Sequence, residues 1–76
     1  MSEANPFHSF LEETLGSKCV VALETGEVIK GILCTIDANI NLVLRDADEK
    51  TSDGQEIHHD SVFVKGRWVL HVAPTN

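Results

Sequence analysis

The sequence predicts a single small domain of β-strands curled into a barrel, with one short N-terminal helix covering it. Residues Gly31 to Leu44, GILCTIDANINLVL, read as one strand, a polar corner and a second strand. Three further apolar and β-branched runs, Lys18–Leu23, Ile57–Val64 and Trp68–Val72, are separated from their neighbours by turn chemistry. Gly31 falls inside a strand of about nine residues, where glycine marks a bend or bulge, and a bent strand can serve two sheets at once. One helix and five strands follow.

Each element has a local cause. Asn5-Pro6 opens the helix, an amide-bearing N-cap followed by proline at the position where a missing N–H costs nothing. Phe7, Phe10, Leu11 and Leu15 recur at helical spacing, Glu12 and Glu13 face outward, and Gly16 ends the run, giving a helix over residues 6–15. A helix of about ten residues is unstable alone, so it must lie on something apolar. Thr25-Gly26 turns the chain between the first two strands. The acidic stretch at residues 45–56 reads as a solvated loop or hairpin tip, and Lys65-Gly66 as a tight turn before the last short strand, which Pro74 ends.

Seventy-six residues make one domain, whose single core rarely supplies more than roughly 3–5 kcal/mol, so assembly with other chains is the natural supplement. Twelve acids against six bases leave a net charge of −6, which excludes broad attraction to a phosphate backbone and confines any RNA contact to a local spot. Cys19 and Cys34 lie on predicted strands without a CxxC spacing, and read as free intracellular thiols. No signal peptide or transmembrane run is present, so the expected location is the cytoplasm, with the nucleus as a further one. His58 and His59 alternate across a strand and cannot converge, so no metal site is expected. Neither a cofactor, a small-molecule substrate nor a membrane is implied, and no nucleophile with a base or phosphate-cradling loop supports catalysis. His58-His59-Asp60 reads as a solvated face rather than a catalytic group.

The corner Asp37-Ala38-Asn39-Ile40-Asn41 has two readings. Asx side chains satisfy their own turn backbone. Alternatively, an amide held at a turn by a neighbouring carboxylate can read a nucleobase edge with one donor and one acceptor.

These residues resemble the Sm and Sm-like proteins. Gly16, the alternating Cys19, Val21 and Leu23, then Gly26, Gly31, Leu33, Asp37, Asn41, Leu44 and Glu49 match the first Sm motif over residues 16–49. Val62-Phe63-Val64-Lys65-Gly66 with Val69 and Val72 match the second over residues 57–73, and the resemblance spans nearly the whole chain. It implies a strongly bent five-stranded antiparallel β-barrel capped by a short α-helix. In that family the fourth and fifth strands pair edge to edge with neighbouring subunits, as exposed strand edges allow. Val62, Phe63, Val64, Trp68, Val69, Leu70 and Val72 are the resulting interface candidates. Trp68 is equally a candidate for the core.

The resemblance also implies an RNA pocket in which Asp37 orients Asn41, Asn41 bonds a base edge, residue 39 stacks on the base, and the cation before Gly66 closes over it. Three residues depart from that pattern: Asn39 stands where an aromatic or histidine is common, Lys65 where arginine is usual, and Arg67-Trp68 where small polar residues follow the glycine. A base–aromatic stack is worth about 1–3 kcal/mol, and lysine lacks the plane that lies flat on a base. Asp37, Asn39, Asn41, Lys65, Gly66 and Arg67 are the RNA-contact candidates. With the barrel positions kept and the pocket altered, the expected function is a noncatalytic subunit resembling the small Sm-like auxiliary subunit of the N-terminal acetyltransferase NatC. Its partners would be protein subunits docked on the edge strands. The alternative is a subunit of a heteromeric Sm-like ring that binds uridine-rich RNA in splicing or mRNA decay.

Overall fold

The computed structural model describes residues 6–75, so the Asn5 cap lies outside the described residues. Its elements are helix α1 (Pro6–Thr14), strands β1 (Lys18–Leu23), β2 (Val28–Ile36), β3 (Leu42–Lys50) and β4 (Glu56–Val64), a single 3-10 turn (Gly66–Trp68), and β5 (Val69–Pro74). All neighbours in the sheet are antiparallel, in the order β4-β3-β2-β1-β5, which leaves one side of β4 and one side of β5 without an intrachain partner. The expected helix and five strands are therefore present, and α1 ends one residue earlier than the spacing predicted.

The inward face shows how alternation builds the core. Cys19 and Val21 of β1, Ile29, Gly31 and Leu33 of β2, Leu42, Leu44 and Ala47 of β3, Val64 of β4 and Val72 of β5 are buried. α1 adds Leu11 and lays Phe7 and Phe10 over the same cluster, their rings stacked 6.5 Å apart. Two bonds fasten the end of the helix to β2, the Gly16 N–H to the Leu33 carbonyl at 2.8 Å and the Leu33 N–H to the Ser17 carbonyl at 3.1 Å. Both cysteines are free, and burial pushes the Cys19 thiol above its usual range.

Two irregularities bend the sheet. Lys30 pairs with Asp48 and Ile32 with Arg45, so Gly31 alone faces both Asp46 and Ala47. Asp46 is the extra residue, in the left-handed region at φ 50°. Because strand side chains alternate with a period of two, a regular β3 carrying Leu42 and Leu44 inward would next have turned Asp46 into the core. The bulge moves Ala47 there instead. A second shift, between the pairs Leu33–Leu44 and Thr35–Val43, leaves Cys34 as an extra residue on β2.

The acidic segment at residues 45–56 departs from the expectation of a loop. Its first six residues continue β3 and its last begins β4, so that the connection is only residues 51–55. Charged residues mask the strand pattern because both faces of this part of the hairpin are open to water, and only Ala47 turns inward. The hairpin carries its own electrostatics. His58 Nδ1 lies 2.8 Å from Asp48 Oδ1, and its Nε2 is 3.6 Å from Asp46 and 3.7 Å from Asp60. On the opposite face His59 meets Glu49 at 2.7 Å, as the predicted alternation of the two histidines requires. Among the described residues no helix is long and apolar enough to cross a membrane.

Gly31 has no room for a side chain. A Cβ there would stand 2.8 Å from the Ala47 Cβ and 2.9 Å from the Arg45 carbonyl oxygen, a backbone atom that cannot swing aside. Gly31→Ala is therefore expected to destabilise the fold by about 1–3 kcal/mol, against the usual benefit of replacing a strand glycine, and the urea midpoint measures it. The hydrogen bond and charge of Asp48 raise the His58 pKa, and the His58 bond lowers that of Asp48. The His58 contribution is complete below its unfolded pKa and is lost as pH rises through the raised folded value. The Asp48 contribution is present above its unfolded pKa and is lost as pH falls through the lowered one. Proton NMR titration of the His58 ring should show a raised midpoint that returns toward the ordinary range in Asp48→Asn.

Candidate functional site

The corner between β2 and β3 is built around one carboxylate. Asp37 Oδ1 accepts the backbone N–H groups of Asn39 at 2.8 Å and Asn41 at 3.0 Å, and its Oδ2 accepts the Asn41 Nδ2 at 2.9 Å. Backbone bonds from the Asp37 N–H to the Asn41 carbonyl and from the Ile40 N–H to the Asp37 carbonyl close the same turn. The side-chain and backbone bonds from Asn41 hold the Asp37 carboxyl below the usual carboxylate range. That contribution is full above the unfolded pKa of Asp37 and is lost as pH falls through the lowered folded value.

Ile40 is the unexpected member of the corner. Its φ of 64° is left-handed, a conformation that costs a β-branched residue about 1–3 kcal/mol. Its side chain packs against the core, and the bonds to Asp37 on either side hold the backbone in place.

The second half of the site comes from the turn between β4 and β5. The Gly66 N–H donates to Asn41 Oδ1 at 2.8 Å, across 25 residues of sequence. This fixes the orientation of the amide, because its oxygen must face an N–H and its nitrogen a carboxylate. A Cβ on Gly66 would lie 2.3 Å from the Asn39 carbonyl oxygen and 2.6 Å from that of Ile40, so the turn sits directly on the backbone of the corner. Lys65, Arg67, Asn39 and Asn41 then line one shallow open cavity of about 260 Å³.

All six RNA-contact candidates are thus gathered at one place, in different roles. Gly66 acts through its N–H and its lack of a side chain. Asn41 has spent one of its two N–H groups on Asp37 and one oxygen lone pair on Gly66, so one donor and one acceptor remain side by side. Such a pair complements the edge of a nucleobase that offers an acceptor beside a donor.

The interface candidates divide. Phe63 at 59 % and Leu70 at 64 % are the most exposed large apolar residues, Trp68 is 43 % exposed, and Val62 and Val69 are partly buried against the core. Val64 and Val72 are core residues whose side chains are buried, so of these two only the backbone is available to a partner. Trp68 lies in the 3-10 turn rather than on the last strand, bordering a cavity with Val62, Phe63, Leu23 and Lys65. Neither the Ile40 backbone nor the Gly66 bond leaves a sequence signal, since a positive φ at isoleucine defies propensity and the bond depends on packing two distant loops together.

A bent sheet of this strand order under an N-terminal helix, with the β2–β3 corner locked to the β4–β5 turn, places the chain among the Sm-type β-proteins. It belongs to the LSM domain family, whose profile matches residues 9–74. The chain is 34 % identical over 65 residues to the U6 snRNA-associated Sm-like protein LSm6 of Botryotinia fuckeliana, covering 86 % of this chain and 76 % of that protein. Among solved structures it is similar to a heptameric archaeal Sm protein, with 32 % identity, a TM-score of 0.79, and 90 % of this chain and 98 % of that chain covered. It is also similar to a Pyrococcus abyssii Sm protein in complex with a uridine heptamer, with 27 % identity, a TM-score of 0.81, and 95 % and 100 % of the two chains covered.

Gly66→Ala tests the lock. The added methyl group must push the turn off the corner and break the Gly66–Asn41 bond, with an expected loss of about 1–3 kcal/mol in denaturant unfolding. The Asn41 side-chain amide resonances should move while those of the distant β3–β4 hairpin tip stay in place.

Proposed function

We propose that this chain is a noncatalytic subunit of an LSm ring and binds uridine-rich RNA at the cavity formed by Asn39, Asn41, Lys65 and Arg67. The observation that carries the reading is the relay from Asp37 through Asn41 to the Gly66 N–H, which holds the amide in one orientation with a donor and an acceptor left over. A uracil edge presents the complementary pair, an N–H beside a carbonyl oxygen. Preorganising the amide spares the entropy that a mobile side chain would lose on binding. Lys65 and Arg67 supply local positive charge on an otherwise acidic molecule, as RNA contact here requires.

The relatives support the same reading, since one is U6 snRNA-associated, one is a heptamer and one was solved with a uridine heptamer. They favour the ring over the acetyltransferase subunit that the altered pocket first pointed to. U6 association in a relative also supports a nuclear pool of this protein. The unpaired sides of β4 and β5, with Phe63 and Leu70 exposed beside them, are the surfaces through which neighbouring subunits would add their own strands.

In its native oligomer the protein should bind a labelled oligouridine, and Asn41→Ala should weaken that binding roughly ten- to hundredfold, the range for losing a two-point base contact. Fluorescence anisotropy reads the affinity and a thermal melt confirms folding. Failure of the native assembly to bind oligouridine would overturn the reading.

A further inference from the structure

The proposed RNA cavity has no ring among its lining residues, yet a base held only by its edge leaves both faces in water. Asn39 offers a small amide at the position where the resemblance implies a stacking side chain. Arg67 is the one planar cation on the lining. Its backbone position is fixed, because it follows Gly66, whose N–H is bonded to Asn41 and whose Cα is seated on the corner. Its guanidinium lies 5.9 Å from the centroid of the Trp68 ring. The ion pairs among the described residues all involve histidine, so neither Arg67 nor Lys65 is neutralised by a carboxylate there.

From these observations we infer that Arg67 supplies the flat surface that position 39 lacks: the base held by Asn41 stacks on the Arg67 guanidinium, which the Trp68 indole braces. This rests on the RNA reading above and adds the residue that determines how the base is gripped. An indole beneath a guanidinium limits its rotation and keeps the plane presented, and the delocalised, weakly hydrated cation is suited to lie against a base. Lys65, a point charge on a flexible stem, is suited to the phosphate instead. The departures at positions 39 and 67 are then linked: the platform has moved from the corner to the turn facing it.

The test uses the full chain in its native oligomer with a labelled oligouridine, titrated by anisotropy at several salt concentrations. Arg67→Lys keeps the charge and removes the plane, and it should bind roughly tenfold more weakly with the salt dependence retained. Arg67→Ala should be weaker still and lose part of the salt dependence, and Asn39→His in the Arg67→Ala background should recover affinity by restoring a ring at the corner. Arg67 is exposed, so unchanged melting temperatures are expected in its variants. If Arg67→Lys binds like the unaltered protein, Arg67 acts only as a charge and the inference fails. It fails alone if Asn41→Ala weakens binding while both Arg67 variants do not. If the unaltered assembly does not bind oligouridine, the RNA reading falls and this inference with it.

Discussion

A single hydrogen bond joins the β2–β3 corner to the β4–β5 turn, the two halves of the candidate site. The Gly66 N–H meets the Asn41 side chain, the Asn41 side chain meets Asp37, and Asp37 in turn gathers the backbone of its own corner. Asn41 therefore stands at once inside a structural relay and at the edge of an open cavity. The relay lies at the surface, with Asp37 exposed and Asn41 half-buried, and it is satisfied on the protein side while one donor and one acceptor remain free. The left-handed backbone at Ile40 belongs to the same constraint, since it brings the chain round so that residues 37 and 41 face each other.

The core serves the site by bending the sheet. Gly31 permits the close approach of Ala47 and the Arg45 carbonyl, and the Asp46 bulge keeps a carboxylate out of the interior while it turns β3. Without that curvature β4 and β5, at opposite ends of the strand order β4-β3-β2-β1-β5, could not be joined by residues 65–68, the turn that the Leu42–Val64 pairing sets beside the corner after β2. A sheet closed by its own strands would also leave no rim for another chain. Here the two rims stay open, and the apolar residues beside them, Phe63 and Leu70, remain exposed.

Much of this was legible in the sequence, and the reasons differ by residue. The helix and five strands follow from spacing and turn chemistry, and the bend follows from a glycine within a strand. The acidic half of the β3–β4 hairpin was hidden because charged side chains on two open faces carry no apolar alternation, though the backbone still pairs from Arg45 with Ser61 to Lys50 with Glu56. The candidate pocket was named residue by residue, since the two motifs supply all its members. Its internal wiring was not, because the Gly66–Asn41 bond joins segments 25 residues apart in the chain. The relatives, not the pocket residues alone, turn the functional reading toward the ring. Asn39 and Arg67 taken singly look like a pocket abandoned, whereas side by side in one cavity they look like a pocket rearranged.

The His58 cluster has a consequence for how copies of this fold can meet. Asp60 on β4 and Asp46 and Asp48 on the neighbouring β3 surround one imidazole, so the sheet face beside that part of the β4 rim carries more negative charge than a single histidine offsets. Two such rims brought face to face would set carboxylate against carboxylate, which disfavours a symmetric pair closed on itself. The association left open is the directional kind, in which the acidic rim of one molecule takes up a different rim on the next, and repetition of that step builds a closed circle or an endless file.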